Sequence, residues 1–294
     1  MSKTVIFFGT DTFSAAALRS LIDADYTIGA VITKPDSKSG RGQHLSAPLV
    51  KQIAEAHNIP VWQPAKLIDV IDDIKAINDV TEVIGVLSSY GKIIPQAIID
   101  LFNPGIINIH PSLLPLYRGP SPIETAIANG DTQTGVSIMK LSAEMDAGPV
   151  YAQEVYTLDG TETAPGLYEE LSALGGRMLI ETLPSIIEGN LLPSPQQNAT
   201  IYCYLLKKED AFLNPAEITA VEAERHVRAY LAFPKTKLTL LDQPVIITKA
   251  HVSSEQTSAL DIAFEGGQFL SIDELIGPSG RSMSGNAFLN GYKA

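Results

Sequence analysis

The chain holds very little that could cross-link it or anchor it in a bilayer. It has a single cysteine, Cys203. That excludes an internal disulfide framework and fits a reducing compartment. No activating base stands near Cys203 in sequence, so it reads as a core thiol and not a nucleophile. No run approaches the roughly 18 consecutive apolar residues that a bilayer-spanning helix needs. The apolar stretch before Gly9 is short for a signal-peptide core and reads as a first buried strand. A cytoplasmic location with no membrane partner is expected. Positive charge is also scarce: 21 Lys and Arg face 33 Asp and Glu, a net −12. Such an excess argues against non-specific coating of nucleic acid. The imbalance is uneven, with nine basic and eleven acidic residues from Lys207 onward but twelve basic and twenty-two acidic before it. A polyanionic partner would more easily touch the last third, or a loop carrying its own basic residues. His44, His57, His226 and His251 are scattered without metal-ligand spacing, so no metal is expected. Gly9-Thr10 lacks the other glycines of a dinucleotide fingerprint.

The chain does have the makings of cores. Hydrophobic residues are 45% and charged residues 18% of 294, a globular composition with length for two domains. Apolar, β-branched runs at residues 4–8, 27–33, 60–62, 82–87 and 106–109 read as strands. Helical spacing fills 14–22, 48–57, 66–77 and 95–102. Strands alternating with helices predict an α/β fold, a Rossmann-like, mostly parallel sheet with ligands beyond its carboxyl edge. The loops opening at Gly9, Lys34, Ser88 and His110 are then where chemistry is expected, and residues 34–44 read as a polar, Gly-containing loop. The pattern continues with strands at 135–141 and 150–158 and a long helix at 164–188. A Pro-, Ser-, Gln- and Asn-rich linker follows at 191–204. Beyond it, one helix at 216–232 precedes short strands at 237–241, 245–248, 260–264 and 269–272. That is the signature of a smaller C-terminal β-barrel, OB-like domain. The division expected is a catalytic domain over 1–190, a linker over 191–204 and a barrel-like domain over 205–294.

The densest chemistry lies in Asn108-Ile-His110-Pro-Ser112-Leu-Leu-Pro115-Leu-Tyr-Arg118-Gly119. Asn108 and His110 are two apart at a strand end and so share a face. An amide can donate to a developing oxyanion, and an imidazole can donate or move a proton. Asp146, in Met145-Asp146-Ala-Gly148, offers a carboxylate to complete the set. The spacing alone also allows a plain polar strand end whose Asn caps the next turn.

Asn108–Pro115 with Arg118-Gly119 and Asp146-Ala-Gly148 resembles the signature of the folate-dependent formyltransferases. The resemblance implies that Asn108, His110 and Asp146 are catalytic. The co-substrate implied is 10-formyltetrahydrofolate. Asn108 and a protonated His110 would donate to the formyl oxygen, and Asp146 would hold His110 and orient a relaying water. A folate pocket would draw on Tyr90, Gly91, Lys92, Ile93, Ile94, Ser112, Leu113, Leu114, Pro115, Ser142 and Met145. Within the family the chain is most similar to the members that act on methionyl-tRNA. Their opening turn resembles Phe7-Phe-Gly-Thr10, and their close resembles Gly280-Arg-Ser-Met283 and Phe288-Leu-Asn-Gly291. The loop with Gly40, Arg41 and Gly42 is similar to the one that meets the tRNA acceptor end in those relatives. It continues Gln43-His44 where they commonly carry lysines. Lys207 and Lys208 are further candidate contacts to tRNA, or a solvated charge pair. A monomer is expected. A sugar amine or other small amine is the alternative acceptor.

Overall fold

The computed structural model describes residues 3–39, 44–197 and 200–292. The chain forms two compact units, each built from separate stretches. One holds Met1–Pro120, Gly135–Tyr156 and Tyr168–Tyr202. The other holds Ser121–Thr134, Thr157–Leu167 and Cys203–Ala294. The sequence candidates Gly40, Arg41 and Gly42 lie outside the described residues.

In chain order the elements begin β1 (Thr4–Gly9), α1 (Thr12–Asp23), β2 (Ile28–Ile32), β3 (Ser37–Ser39), β4 (His44–Ser46), α2 (Leu49–Ala56) and β5 (Val61–Trp62). They continue α3 (Ile71–Asn78), β6 (Val83–Ser88), α4 (Gln96–Ile99), β7 (Ile106–His110), α5 (Pro122–Asn129), β8 (Gln133–Lys140), β9 (Val150–Thr157) and α6 (Ala164–Ile187). Seven strands form one sheet in the order β5-β2-β1-β6-β7-β8-β9. β1 pairs in parallel with β2 and β6, and β6 with β7, whereas β8 runs antiparallel to β7. Every residue of β1 and β7 is buried. β1 is apolar along both faces at its centre, as a strand covered on both sides requires, whereas β7 buries Asn108 and His110 on one of its faces. Ser37 and Ser39 pair antiparallel with Ser46 and His44, so the expected loop at 34–44 contains a hairpin. The expected helix at 66–77 opens as a 3-10 turn, Leu67–Val70, before α3.

Two details fix the position of β7. A Cβ at Gly85 in β6 would sit 2.6 Å from Ile106 Cγ1, so only glycine lets β7 dock there. A Cβ at Gly175 in α6 would sit 2.6 Å from Ile109 Cγ2, so α6 packs its own backbone against the same strand. At the carboxyl edge, Thr10 Oγ1 donates to the Tyr90 carbonyl at 3.1 Å and Ser89 Oγ donates to Asp11. The loop after β1 is thereby tied to the loop after β6.

The second unit carries α5, α7 (Ala220–Ala229) and a curled antiparallel half-barrel sheet. Its strands are β10 (Lys237–Leu240), β11 (Gln243–Ser253), β12 (Asp261–Ala263), β13 (Phe269–Ile276) and β14 (Ser282–Ser284), followed by α8 (Gly285–Tyr292). β11 is much longer than the strand expected at 245–248, because β13 pairs with it from Ile246 to Ser253. Phe288, fully buried, brings α8 into a core with Val227, Ile247, Leu270 and Leu275. α7 starts at a capping box: Glu222 N donates to Thr219 Oγ1 at 3.2 Å and Thr219 N donates to Glu222 Oε2 at 2.7 Å. The Thr219 backbone N–H, then its hydroxyl, hold the Glu222 carboxyl below its usual value. We expect Thr219→Ala to cost about 1 kcal/mol, measured by urea unfolding. Because the folded pKa of Glu222 is depressed, its part of the stabilisation is complete above the ordinary carboxylate value and is lost as the pH falls from there through the lower folded value. A Thr219→Ala protein as stable as the parent at neutral pH would remove the cap from the account.

No helix among the described residues is long and apolar enough to cross a membrane.

Candidate active site

β7 delivers Asn108 and His110 to one face, both close to fully buried at 4% and 5% exposure. Asn108 is opposite Leu87 on β6 and Met139 on β8, and His110 is opposite Ser137. Among the described residues, no hydrogen bond is made by the Asn108 carboxamide, which leaves its amide available as a donor. His110 Nε2 lies 3.0 Å from the Tyr117 carbonyl oxygen. A carbonyl only accepts, so Nε2 carries a hydrogen and the ring orientation is set. That leaves Nδ1 facing Asp146, with Oδ1 3.8 Å away.

Asp146 reaches this place by an indirect route. Leu141, just past β8, donates its N–H to Ile106 at the amino end of β7. The following loop must therefore come back along β7 to bring the carboxylate to His110. Several contacts hold it. Asp146 Oδ2 accepts from Gly119 N at 2.8 Å. Its backbone is left-handed, with φ +47°, a conformation that Asp tolerates better than most residues. Gly148 passes so close that a Cβ would meet Lys140 O at 1.8 Å. Lys140 N donates to Pro149 O at 2.9 Å and closes the turn.

The segment between β7 and Gly119 is tied down from behind. Ser137 Oγ donates to Ser112 O at 2.6 Å and accepts from Leu114 N at 3.1 Å. Gln153 Nε2 donates to Leu114 O at 2.8 Å. A cavity of about 340 Å³ flanks Leu114, Pro115, Tyr151, Gln153 and Gln196, but none of Asn108, His110 or Asp146 lines it.

The remaining sequence candidates are placed unevenly. The Tyr90 ring is buried against Phe8 in the core, and its carbonyl oxygen accepts from Thr10 Oγ1. Ile94, Ser112, Leu114 and Pro115 are buried too, and Leu113 and Ser142 are half-buried. Gly91 and Lys92 are exposed. So are Ile93, at 87%, and Met145, at 58%. These two side chains sit on the loops that follow β6 and β8. Lys207 and Lys208 are exposed in the second unit beside Glu209 and Asp210, which lowers their local positive charge.

Sequence reading missed Gln196, placed in the linker. Its side chain spans Arg118 and the Asp146 turn. A polar residue in a Pro-rich stretch carries no signal that would have singled it out.

A family model described as formyl transferase matches residues 2–183, well over half the chain. A methionyl-tRNA formyltransferase from Chloroflexus aurantiacus is 38% identical over 99% of this chain and 97% of its own length. One from Lactobacillus acidophilus is 36% identical over 98% and 95%. Among solved structures, an N-formyltransferase from Helicobacter canadensis, in complex with folinic acid and dTDP-3-aminofucose, superposes with a TM-score of 0.70. It covers 92% of this chain and 99% of that one at 18% identity, a likeness of fold. With the match running almost end to end at this identity, the chain belongs to the formyl transferase family, in the branch of the methionyl-tRNA formyltransferases.

Proposed function

We propose that the protein transfers the formyl group of 10-formyltetrahydrofolate to the α-amino group of methionyl-tRNA, in the cytoplasm. The observation that carries the chemistry is the free Asn108 carboxamide beside His110 on one buried strand face, with Asp146 3.8 Å from Nδ1. The amine lone pair attacks the formyl carbon and the carbonyl π pair moves onto oxygen. Asn108 donates a hydrogen bond to that oxyanion, and His110, protonated so that Nδ1 also carries a hydrogen while Nε2 stays on the Tyr117 carbonyl, donates a second. Preorganised donors of this kind contribute about 2.7–4 kcal/mol each. Collapse breaks the bond from carbon to folate N10, which takes the electron pair and a proton. Asp146, held by the Gly119 N–H, orients the water that carries this proton from the amine. The products are N-formylmethionyl-tRNA and tetrahydrofolate. The exposed Ile93 and Met145 suit the flat, apolar faces of the folate. Arg41, between Gly40 and Gly42, engages the phosphates of the acceptor end.

The deciding experiment supplies labelled 10-formyltetrahydrofolate with methionyl-tRNA in one reaction and nucleotide-linked amino sugars in another. Formyl is expected on the aminoacyl ester alone. Arg41→Ala should weaken methionyl-tRNA binding and flatten its salt dependence by about 0.7–0.9 in log–log slope, with folate binding unchanged. Formylation of the sugar with none on the tRNA would sink this reading and leave a small-amine formyltransferase.

A further inference from the structure

We propose that Gln196 is a positioning residue for the reaction: it holds the turn that carries Asp146 and so sets that carboxylate against His110. The inference rests on the catalytic role given above to Asp146.

The Gln196 carboxamide is bonded on both ends. Nε2 donates to the carbonyls of Asp146 at 2.7 Å and Gly148 at 2.8 Å. Oε1 accepts from Arg118 Nε at 3.0 Å and Nη2 at 2.8 Å. A primary amide offers two donors and one oxygen with two lone pairs, and all are used. A flipped amide would aim its NH₂ at a guanidinium and its oxygen at two carbonyls, so the orientation is fixed.

These bonds complete a ring. Gly119 N–H grips the Asp146 carboxylate, while the neighbouring Arg118 grips Gln196, and Gln196 grips the Asp146 backbone. Both the head and the base of Asp146 are therefore referenced to Arg118-Gly119, at the end of the segment that begins with His110. Arg118 is itself constrained: it is buried, its N–H donates to Ile201 O at 3.0 Å, and its guanidinium lies 6.0 Å from the Tyr202 ring centroid. Asp146 needs such support because its backbone sits at φ +47° in an otherwise exposed loop, with Ala143 to Met145 open to solvent.

The main chain around Gln196 is anchored without its side chain. Ser194 and Val150 exchange two backbone hydrogen bonds, both 2.8 Å, and Ile201 N donates to Pro115 O at 3.2 Å. Removing the carboxamide should thus release the Asp146 turn and leave the segment docked. Gln196 has no hydrogen bond to Asn108 or His110 among the described residues, so its effect passes through Asp146.

The test is a cycle. Gln196→Met keeps the length but neither donates nor accepts. Gln196→Glu keeps the oxygen for Arg118 and loses the Nε2 donor. Each is made alone and together with Asp146→Asn in the full chain. We expect both single Gln196 changes to lower kcat about ten- to a hundredfold. Binding of unreactive 5-formyltetrahydrofolate, KM for folate and Tm should stay near those of the parent. In the Asp146→Asn background the same changes should cost less than about twofold, because the group being positioned is gone. Equal losses in both backgrounds overturn the inference, as does a Gln196→Glu enzyme with parental kcat. Loss of 5-formyltetrahydrofolate binding or of cooperative unfolding in both variants marks a structural role and overturns it too. Normal turnover by Asp146→Asn alone is a separate outcome: there the catalytic reading of Asp146 fails first.

Discussion

Asn108→Ala and His110→Ala are each expected to lower kcat about 10²–10³-fold, the usual loss when one preorganised oxyanion donor is removed. The KM for folate should change little, because the oxyanion exists only in the transition state. The two variants should differ in stability. Asn108 gives up no hydrogen bond to any described residue, so its removal costs mainly packing on a 4% exposed site. His110→Ala also removes the 3.0 Å hydrogen bond to the Tyr117 carbonyl, a loss of about 0.5–1.5 kcal/mol. Single-turnover rates with methionyl-tRNA, beside urea unfolding, separate the two effects. A variant that folds, binds folate and keeps more than about a tenth of the parental kcat would remove that residue from oxyanion stabilisation.

Gly148→Ala is expected to damage both activity and stability while touching no reacting atom. Its Cβ would stand 1.8 Å from Lys140 O and 3.1 Å from the Met139 methyl. The carbonyl belongs to the sheet backbone and cannot swing away. The turn must move by an ångström or more. Such overpacking costs about 1–3 kcal/mol. A displacement of that size in a proton-handling group costs about a hundredfold in rate. Gly291→Ala is the control, since no atom lies within 4 Å of a Cβ there and Gly291 is helical. Urea midpoints and kcat for both proteins give the comparison. If Gly148→Ala matches Gly291→Ala in both measurements, the close approach at Lys140 is not what shapes the loop.

How far the site could be read from the chain differs residue by residue. Asn108 and His110 were legible because a strand has period two and β7 is short, apolar and followed by a proline-rich turn. Their common face needed no long-range information. Asp146 was legible only through a resemblance of sequence, since no local periodicity joins it to His110. The mapping of a pocket onto Tyr90 shows a different limit. The motif marks the segment, but whether a side chain points into the core or out to a ligand depends on what packs beneath it. Here Phe8 does. The hairpin β3–β4 and the length of β11 escaped for a related reason: both are made by pairing with a strand whose sequence gives no sign of the partner.

By itself, the amino-acid sequence determined the buried strands β1, β6 and β7, whose apolar runs have no stable place outside a covered sheet. It also determined the paired amide and imidazole on β7 and the concentration of acidic charge ahead of Lys207, whereas α7, expected at 216–232, begins only at Ala220 behind its Thr219 cap. Tertiary structure alone decided the rest of the site. β8 is antiparallel to β7, so the loop after it begins at the wrong end of the strand and has to return along it before Asp146 can face His110. That return path is held by hydrogen bonds from residues far apart in the chain, Gly119 on the carboxylate and Gln196 on the backbone. Hydrogen bonds of this kind have no sequence period, because each is set by where two segments far apart in the chain meet.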